Sequence, residues 1–378
     1  MTNKKQNNAP LKKWCFLTYI AGDNNLSNAG LKDIIEMCEE GASSDIYIGV
    51  EIDTYGEHTG SIRYEIPEAD WSGMAYRKVI ERLQERDSGS PKTIKSFLKW
   101  GFNRYRAEDY VVVIWSHGSG FRAKRKNIAY DDFGSSLNMS EIEWAIRKSG
   151  IAKDEKIKIL GFDACLMSML EIAYHFKDQV EIIVGSQQTE PADGWPYNKV
   201  IHEIKEAQCA HSLAKSIVHS YIKSYKNTGI QNLTQSAIDT QKVDRAFHAL
   251  DALSKLLIKH INDIRGQLIV IRYTIQYFDM ADYVDAIHFA ELIAEQIMIP
   301  EIQTAALTFM EQTQKCIIAN KTKGFQLENA NGLSLWFPGD APLYFNNRAE
   351  YTALKFAKTY PNWVQFLDEY FYRMHYNV

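Results

Sequence analysis

The first half of the chain alternates short hydrophobic runs with segments of helical periodicity, and this alternation restricts the fold more than any other feature. Five runs are rich in β-branched residues and almost continuously hydrophobic, as expected of strands covered on both faces. They are WCFLTYI, IYIGVEI, YVVVIW, KIKIL and VEIIVG, which begin at residues 14, 46, 110, 156 and 180. Helical patterns lie between them, for example at residues 26–40 and 91–106. Such alternation predicts an α/β fold, a largely parallel sheet with helices on both sides.

The second half has a different pattern. Beyond residue 207 the chain consists mainly of long helical stretches, and a strand-like run, GLSLWFP, returns only at residues 332–338. No internal repeat or low-complexity linker separates the two parts. We therefore predict a core at residues 1–207 and a helix-rich part at residues 208–378 that packs on the sheet and belongs to the same unit.

The composition of the chain gives no indication of nucleic acid, a membrane or zinc as a partner or cofactor. A net charge of −4, from 43 basic and 47 acidic residues, gives no reason to expect nucleic acid or a membrane as a partner. No run approaches the roughly 18 apolar residues that span a bilayer, and the N-terminus lacks the apolar run of a signal peptide. Five cysteines without a Cys-x-x-Cys pair predict neither a disulfide framework nor a zinc cluster. We expect a monomer that is cytoplasmic, or secreted if a signal peptide has been removed.

Two strand ends carry residues with catalytic potential. The run YVVVIW continues directly into Ser116, His117 and Gly118, and KIKIL continues into GFDAC, which ends at Cys165. In an open parallel sheet, functional groups collect just beyond the carboxyl ends of the strands. If the two strands are neighbours, His117 and Cys165 project from the same edge of the sheet and lie within reach of each other.

The chemistry of a thiol explains why such a pair would be useful. An ordinary cysteine is only a few per cent thiolate at neutral pH, so an imidazole that accepts its proton makes it a better nucleophile. Cys165 is also predicted to begin a helix, whose dipole would favour the thiolate. The backbone N–H groups of Gly118 and Cys165 are candidates for an oxyanion hole. Together these features predict acyl transfer through a thioester.

Other interpretations of the same residues remain open. A lone cysteine after a strand is more often part of a core, and a lone His-Gly is more often a turn, but their joint occurrence favours a catalytic pair. The run HGSG lacks the lysine of a P-loop and the full GxGxxG of a dinucleotide site. A serine or metal hydrolase would need a GxSxG elbow or a ligand cluster such as HExxH, and neither occurs. A catalytically silent protein that binds peptides is the main alternative.

Several longer motifs resemble those of the clostripain-like cysteine peptidases of clan CD, relatives of caspases, legumains and gingipains. The resemblance covers most of the chain and follows the family's order: YIAGDNNLSNAGLKDIIEM, IWSHGSGF, GFDACLMSMLEIAY, GSQQTEPADGWPY and GLSLWFP. The run DACLM favours the clostripain branch over the caspases. The resemblance implies a caspase-like αβα sandwich and a cysteine endopeptidase with His117 and Cys165 as its catalytic dyad.

The resemblance also implies cleavage after a basic residue. Asp193, on the loop after VEIIVG, is the preferred carboxylate for pairing with a substrate Arg or Lys, because a buried pair of this kind penalises uncharged side chains. Asp163, two residues before Cys165, is a second candidate, and Glu190 is less favoured. The alternative for Asp193 is a turn residue, and Asp163 could have a purely structural role.

A basic cluster, RAKRKN at residues 122–127, lies between the two candidate catalytic residues in what is predicted to be an exposed loop. The resemblance implies zymogens that are cut in this interval, so an enzyme specific for basic residues could cleave itself after Arg122, Lys124, Arg125 or Lys126. A solvated basic loop is an equally good interpretation.

Calcium is the one cofactor that the resemblance allows, although the thiol chemistry requires none. The adjacent carboxylates of Asp131 and Asp132 could contribute oxygen ligands, but no calcium-loop pattern surrounds them. A turn at the end of a strand is the favoured interpretation of this pair.

Overall fold

A computed structural model describes residues 9–56, 60–122, 128–151 and 156–376. The strands in these ranges are β1 (Leu11–Gly22), β2 (Ile46–Thr54), β3 (Ile62–Ile66), β4 (Lys78–Arg82), β5 (Arg106–Trp115), β6 (Ile157–Asp163), β7 (Val180–Gly185), β8 (Leu233–Asp239), β9 (Tyr283–Asp285), β10 (Ile317–Lys323) and β11 (Ser334–Trp336). The helices are α1 (Ser27–Glu40), α2 (Pro91–Arg104), α3 (Met139–Lys148), α4 (Leu170–Phe176), α5 (Tyr197–Glu206), α6 (Ala210–Ser224), α7 (Val243–Lys259), α8 (Ile261–Thr274), α9 (Ala286–Gln296), α10 (Pro300–Cys316), α11 (Ala341–Thr352), α12 (Lys355–Thr359) and α13 (Asn362–Tyr376).

Nine of these strands form one sheet in the order β10-β8-β7-β6-β5-β1-β2-β3-β4. The five central strands, β7, β6, β5, β1 and β2, are parallel to their neighbours in that group. They are the five strands predicted from the hydrophobic runs. The outer strands pair antiparallel on both sides, through β3 and β4 at one edge and β8 and β10 at the other.

Side chains on the two faces of the sheet belong to separate cores. Along β1, Leu17 and Tyr19 belong to the core that includes side chains of α2, α3 and α7, whereas Phe16 and Ile20 belong to the core that includes side chains of α1, α5 and α6. All four are at most 1% exposed, and each buried side chain of this size stabilises the fold by about 1.5–3 kcal/mol. The αβα sandwich around a central parallel sheet, predicted from the sequence, is confirmed.

The part of the chain after residue 207 contributes two strands to this sheet. β8 pairs with β7, and β10 pairs with β8 and forms an edge. The run at residues 332–338 yields only the three-residue β11, which pairs with β9 in a separate two-stranded sheet. None of the helices in the described ranges is both long enough and apolar enough to cross a membrane.

Candidate active site

Two adjacent parallel strands place the candidate catalytic residues. In the register of β5 and β6, Trp115 pairs with Asp163, so both strands end at the same level. His117 follows Trp115 by two residues, and Cys165 follows Asp163 by two residues. Both side chains line one cavity of about 160 Å³. The structure therefore brings together the two residues that the sequence predicts as a dyad.

The backbone at Gly118 packs directly on the backbone of Cys165. A Cβ atom at Gly118 would overlap the carbonyl oxygen of Cys165 and lie 3.0 Å from both its amide nitrogen and the Cβ atom of Ala164. A hydrogen bond of 3.3 Å from the Ser116 N–H to the Asp163 carbonyl oxygen links the same two loops. Only glycine permits this close approach between the two segments that carry the predicted oxyanion donors.

Cys165 lies in a turn that is followed by a short non-helical segment, and the prediction that Cys165 begins a helix is wrong. Leu166 has a φ of 64°, and α4 begins only at Leu170. The intervening segment is tied to β11, because the Ser334 N–H donates to the Ser168 carbonyl oxygen at 2.9 Å and Met169 forms a bridge with Ser334. The dipole of a seven-residue helix that starts five residues later does not act on the sulfur.

The thiol of Cys165 is in a shielded environment. Burial raises its pKa, and the carboxyl groups of Asp279 and Asp163 add to this effect, while the backbone N–H of Glu190 opposes it. That N–H donates to the Cys165 Sγ at 3.2 Å. The resting side chain is therefore a thiol at neutral pH, and its activation requires a base.

A hydrogen bond to Asn25 orients the imidazole of His117. The Asn25 Oδ1 lies 2.8 Å from the His117 Nε2. Because an amide oxygen only accepts hydrogen bonds, Nε2 carries the proton and Nδ1 is the basic nitrogen. The neighbouring Asn24 braces this turn by donating to the carbonyl oxygens of Ala21 at 2.9 Å and Tyr130 at 2.8 Å. Asn25 has no predicted role from the sequence, although it lies within the motif AGDNNL.

Two carboxyl groups, Asp163 and Glu190, line the same cavity. The Asp163 Oδ2 accepts hydrogen bonds from the Trp195 N–H at 3.2 Å and the Tyr197 hydroxyl at 2.8 Å. Burial raises the pKa of Asp163, and burial next to Asp163 raises the pKa of Glu190 well above its usual range. The less favoured candidate of the sequence analysis, Glu190, is thus part of the cavity.

Asp193, the preferred specificity residue of the sequence analysis, lies at the surface. Its side chain is 63% exposed and pairs with Lys32 at 2.7 Å, and it is not among the residues that line the cavity. Its neighbours Ala192 and Gly194 do line it, so the predicted loop is adjacent to the site. Of the three candidate carboxyl groups, Asp163 and Glu190 line the cavity and Asp193 does not.

Arg122, the first residue of the basic cluster, is not exposed as the sequence analysis expected. Its side chain is 1% exposed and pairs with the Asp282 Oδ1 at 3.1 Å. Its Nε donates to the hydroxyl of Tyr283 at 3.2 Å. The guanidinium of Arg122 is buried because the carboxylate of Asp282 and the hydroxyl of Tyr283 replace its contacts with water. Lys124, Arg125 and Lys126 lie outside the described residues.

Asp131 holds a turn. Its Oδ2 accepts hydrogen bonds from the Ser88 N–H at 2.7 Å and the Ser88 hydroxyl at 2.8 Å, and its Oδ1 accepts one from the Phe133 N–H at 2.9 Å. Asp132 is exposed. Within the described part of the chain, no group of three or more His, Cys, Asp or Glu side chains is arranged to hold a metal ion. A dependence on calcium stays a prediction.

The fold and the site together define a class. A cysteine and a histidine follow adjacent parallel strands of an αβα sandwich, beside a cavity that contains carboxyl groups, which is the arrangement of a caspase-like cysteine peptidase. A model of the clostripain family of peptidases matches residues 18–370. The chain belongs to the clostripain family, and the resemblance inferred from its motifs is confirmed.

Individual relatives agree with this assignment. The clostripain of Hathewaya histolytica is 28% identical over 138 residues, which cover 32% of this chain and 25% of that protein, so the match spans about a quarter of the relative's length. A secreted C11 cysteine protease from Bacteroides thetaiotaomicron, in complex with an irreversible peptide inhibitor, is 18% identical with a TM-score of 0.70, over 96% of this chain and 99% of that one. An inactive zymogen C11 protease from Parabacteroides distasonis is 18% identical with a TM-score of 0.71, and the match covers 93% of this chain and 99% of that one. Both structures share the fold.

Proposed function

We propose that this chain is a cysteine endopeptidase that cleaves peptide bonds after Arg or Lys. The observation that carries the proposal is the shared cavity, in which His117 and Cys165 lie at the ends of β5 and β6 and carboxyl groups lie beside them. A nucleophile, a base and an acidic pocket in one enclosure are what acyl transfer at a basic residue requires.

The proposed chemistry uses the two residues that follow β5 and β6 as base and nucleophile. The His117 Nδ1 takes the proton of the Cys165 thiol, and the sulfur attacks the carbonyl carbon of the scissile bond. The N–H groups of Gly118 and Cys165 stabilise the oxyanion. His117 then protonates the leaving amine, which leaves a thioester, and a water molecule deprotonated by His117 hydrolyses that thioester.

The preference for a basic side chain has an electrostatic cause. A cavity of about 160 Å³ holds one long side chain, and Asp163 within it is only 4% exposed. A substrate that lacks a positive charge would leave this carboxylate buried and unpaired, at a cost of about 2–5 kcal/mol. Arg and Lys avoid that cost.

Self-cleavage in the interval between His117 and Cys165 is part of the proposal, at Lys124, Arg125 or Lys126. Arg122 is a poor site, because its buried ion pair with Asp282 would have to open before the bond could enter a second molecule's cavity. The similarity in fold to an inactive zymogen from Parabacteroides distasonis supports a form that awaits processing.

Hydrolysis of fluorogenic peptides that end in Arg, Lys, Ala or Asp tests the proposal, with Cys165→Ala as the control and chain integrity followed on a denaturing gel. Turnover of the Arg and Lys peptides by the wild type alone would support a basic-specific peptidase. Cleavage of the wild-type chain alone near residues 124–126 would support self-processing. No turnover, even after limited trypsin treatment and added calcium, would favour a silent peptide-binding protein.

A further inference from the structure

Asp163 and Glu190 both line the cavity of about 160 Å³. Two carboxyl groups in so small a space interact directly, and each affects the pKa of the other through a side-chain hydrogen bond. Two ionised carboxylates have only acceptors and cannot form such a bond, so the contact requires one proton. Consistent with this, the Glu190 Oε2 is buried and receives no hydrogen bond from any donor in the described part of the chain.

The surrounding donors decide which carboxyl group holds the proton. Asp163 accepts hydrogen bonds from the Trp195 N–H and the Tyr197 hydroxyl, both of which stabilise a negative charge. The Glu190 carboxyl group accepts only a long hydrogen bond among the described residues, from the Gln235 Nε2 to its Oε1 at 3.5 Å. Asp163 is therefore the better site for the charge, and Glu190 is the better site for the proton.

We propose that Glu190 is held in its neutral, protonated form as the hydrogen-bond donor to Asp163, so that the pocket presents one negative charge to one positive substrate side chain. This inference rests on the proposed preference for Arg or Lys. If both carboxyl groups were ionised, a single bound cation would leave one buried negative charge unpaired. Glu190 thus acts as a positioning residue that orients Asp163, while its backbone N–H holds the Cys165 sulfur at 3.2 Å.

Apart from Asp279, whose carboxyl group acts on the Cys165 thiol, the other titratable groups near the pair do not supply a second negative charge at neutral pH. Burial raises the pKa of Asp33 to about 9, so that this carboxyl group is neutral as well. Burial also raises the pKa of the thiol and of the three phenols that interact with the pair. These groups are Cys165, Tyr197, Tyr221 and Tyr225. His117 lines the cavity, and Lys32 is held at the surface by Asp193.

The first test observes the proton without a substrate. Difference infrared spectra at about pH 7 compare Cys165→Ala with the double variant Cys165→Ala/Glu190→Gln. We expect the difference spectrum to contain one carbonyl stretch of a protonated carboxyl group that is present only in Cys165→Ala, because the bands of other neutral carboxyl groups such as Asp33 occur in both variants and cancel. A difference spectrum without this band would overturn the inference whatever the specificity of the enzyme.

The second test measures selectivity, as the ratio of kcat/KM for a peptide ending in Lys to that for the same peptide ending in norleucine, from about pH 5 to about pH 8. The ratio cancels rate changes common to both peptides. We expect Glu190→Gln to keep the ratio within about threefold of the wild type, because Gln mimics a protonated Glu, and Asp163→Asn to lower it by about 100-fold. An equal fall in both variants would show that Glu190 carries the charge and would overturn the inference.

The wild-type profile separates this inference from the proposed function. In the wild type the ratio should fall as the pH drops through the raised pKa of Asp163, because protonation removes the only charge of the pair. A wild type that shows no preference for Lys at any pH would refute the proposed specificity, whereas the infrared result would still decide the protonation of Glu190.

Discussion

The substitution Gly118→Ala tests how closely the histidine loop packs on the nucleophile. The added methyl group would overlap the Cys165 carbonyl oxygen and lie 3.0 Å from the Cys165 amide nitrogen. Both are backbone atoms, so no side chain can rotate away to make room. Restoring an ordinary contact distance requires the two loops to separate by about 1 Å.

The size of the effect follows from this separation. A displacement of about 1 Å between catalytic groups lowers the rate by about 100-fold, or about 2.7 kcal/mol of transition-state stabilisation. The same overpacking lowers the free energy of unfolding by about 1–3 kcal/mol. That loss is smaller than the total stability of a typical domain, so the variant should remain folded.

Peptide hydrolysis and thermal unfolding of the same preparation measure both effects. Gly229→Ala is the matched control, because a Cβ atom there meets nothing within 4 Å and the residue has no positive φ. We expect the control to match the wild type in both measurements. If a folded Gly118→Ala protein keeps kcat/KM within about twofold of the wild type, the reasoning about this contact is wrong.

Three further changes test other contacts. Asn25→Ala removes the acceptor for the His117 Nε2–H, and kcat/KM should fall by about 10- to 100-fold with an altered pH profile; an unchanged profile would argue against tautomer control. Arg122→Met removes the ion-pair partner of the buried Asp282, which should lower the free energy of unfolding by about 3–5 kcal/mol in urea titrations. Asp193→Ala breaks only an exposed pair, worth at most about 1 kcal/mol, and should leave the Lys preference intact; loss of that preference would restore Asp193 as the specificity residue.

The central strands were predictable because both of their faces are buried. Residues 111–114 of β5, for example, are all at most 1% exposed and give a continuous hydrophobic run. The outer strands give no such signal. β4, with the sequence KVIER, is largely exposed, and β10, IIANKTK, is polar after Ala319 and lies at the edge of the sheet. Their pairing depends on the sheet that they join more than on their own composition.

The candidate dyad was predictable for a related reason, since each residue directly follows a recognisable strand. The predictions that the structure changes concern residues whose surroundings come from distant parts of the chain. Arg122 is buried by Asp282, which lies 160 residues away in sequence. The non-helical segment after Cys165 is fixed by Ser334, so local periodicity wrongly predicted a helix there. Asp193 is exposed and Asp163 is buried, and nothing in the sequence around either residue predicts this difference.

The tie between Ser168 and Ser334 also has a consequence for the timing of synthesis. Ser334 lies 169 residues after Cys165, so the ribosome adds the nucleophile long before it adds the strand that fixes the nucleophile's loop. At about 5–20 residues per second, this interval lasts about 8–34 s. A nascent chain would carry its cysteine through that period in an incomplete sheet, because β8 and β10 are also still to come. The order of the elements along the chain therefore delays assembly of the site until β11 has been synthesised.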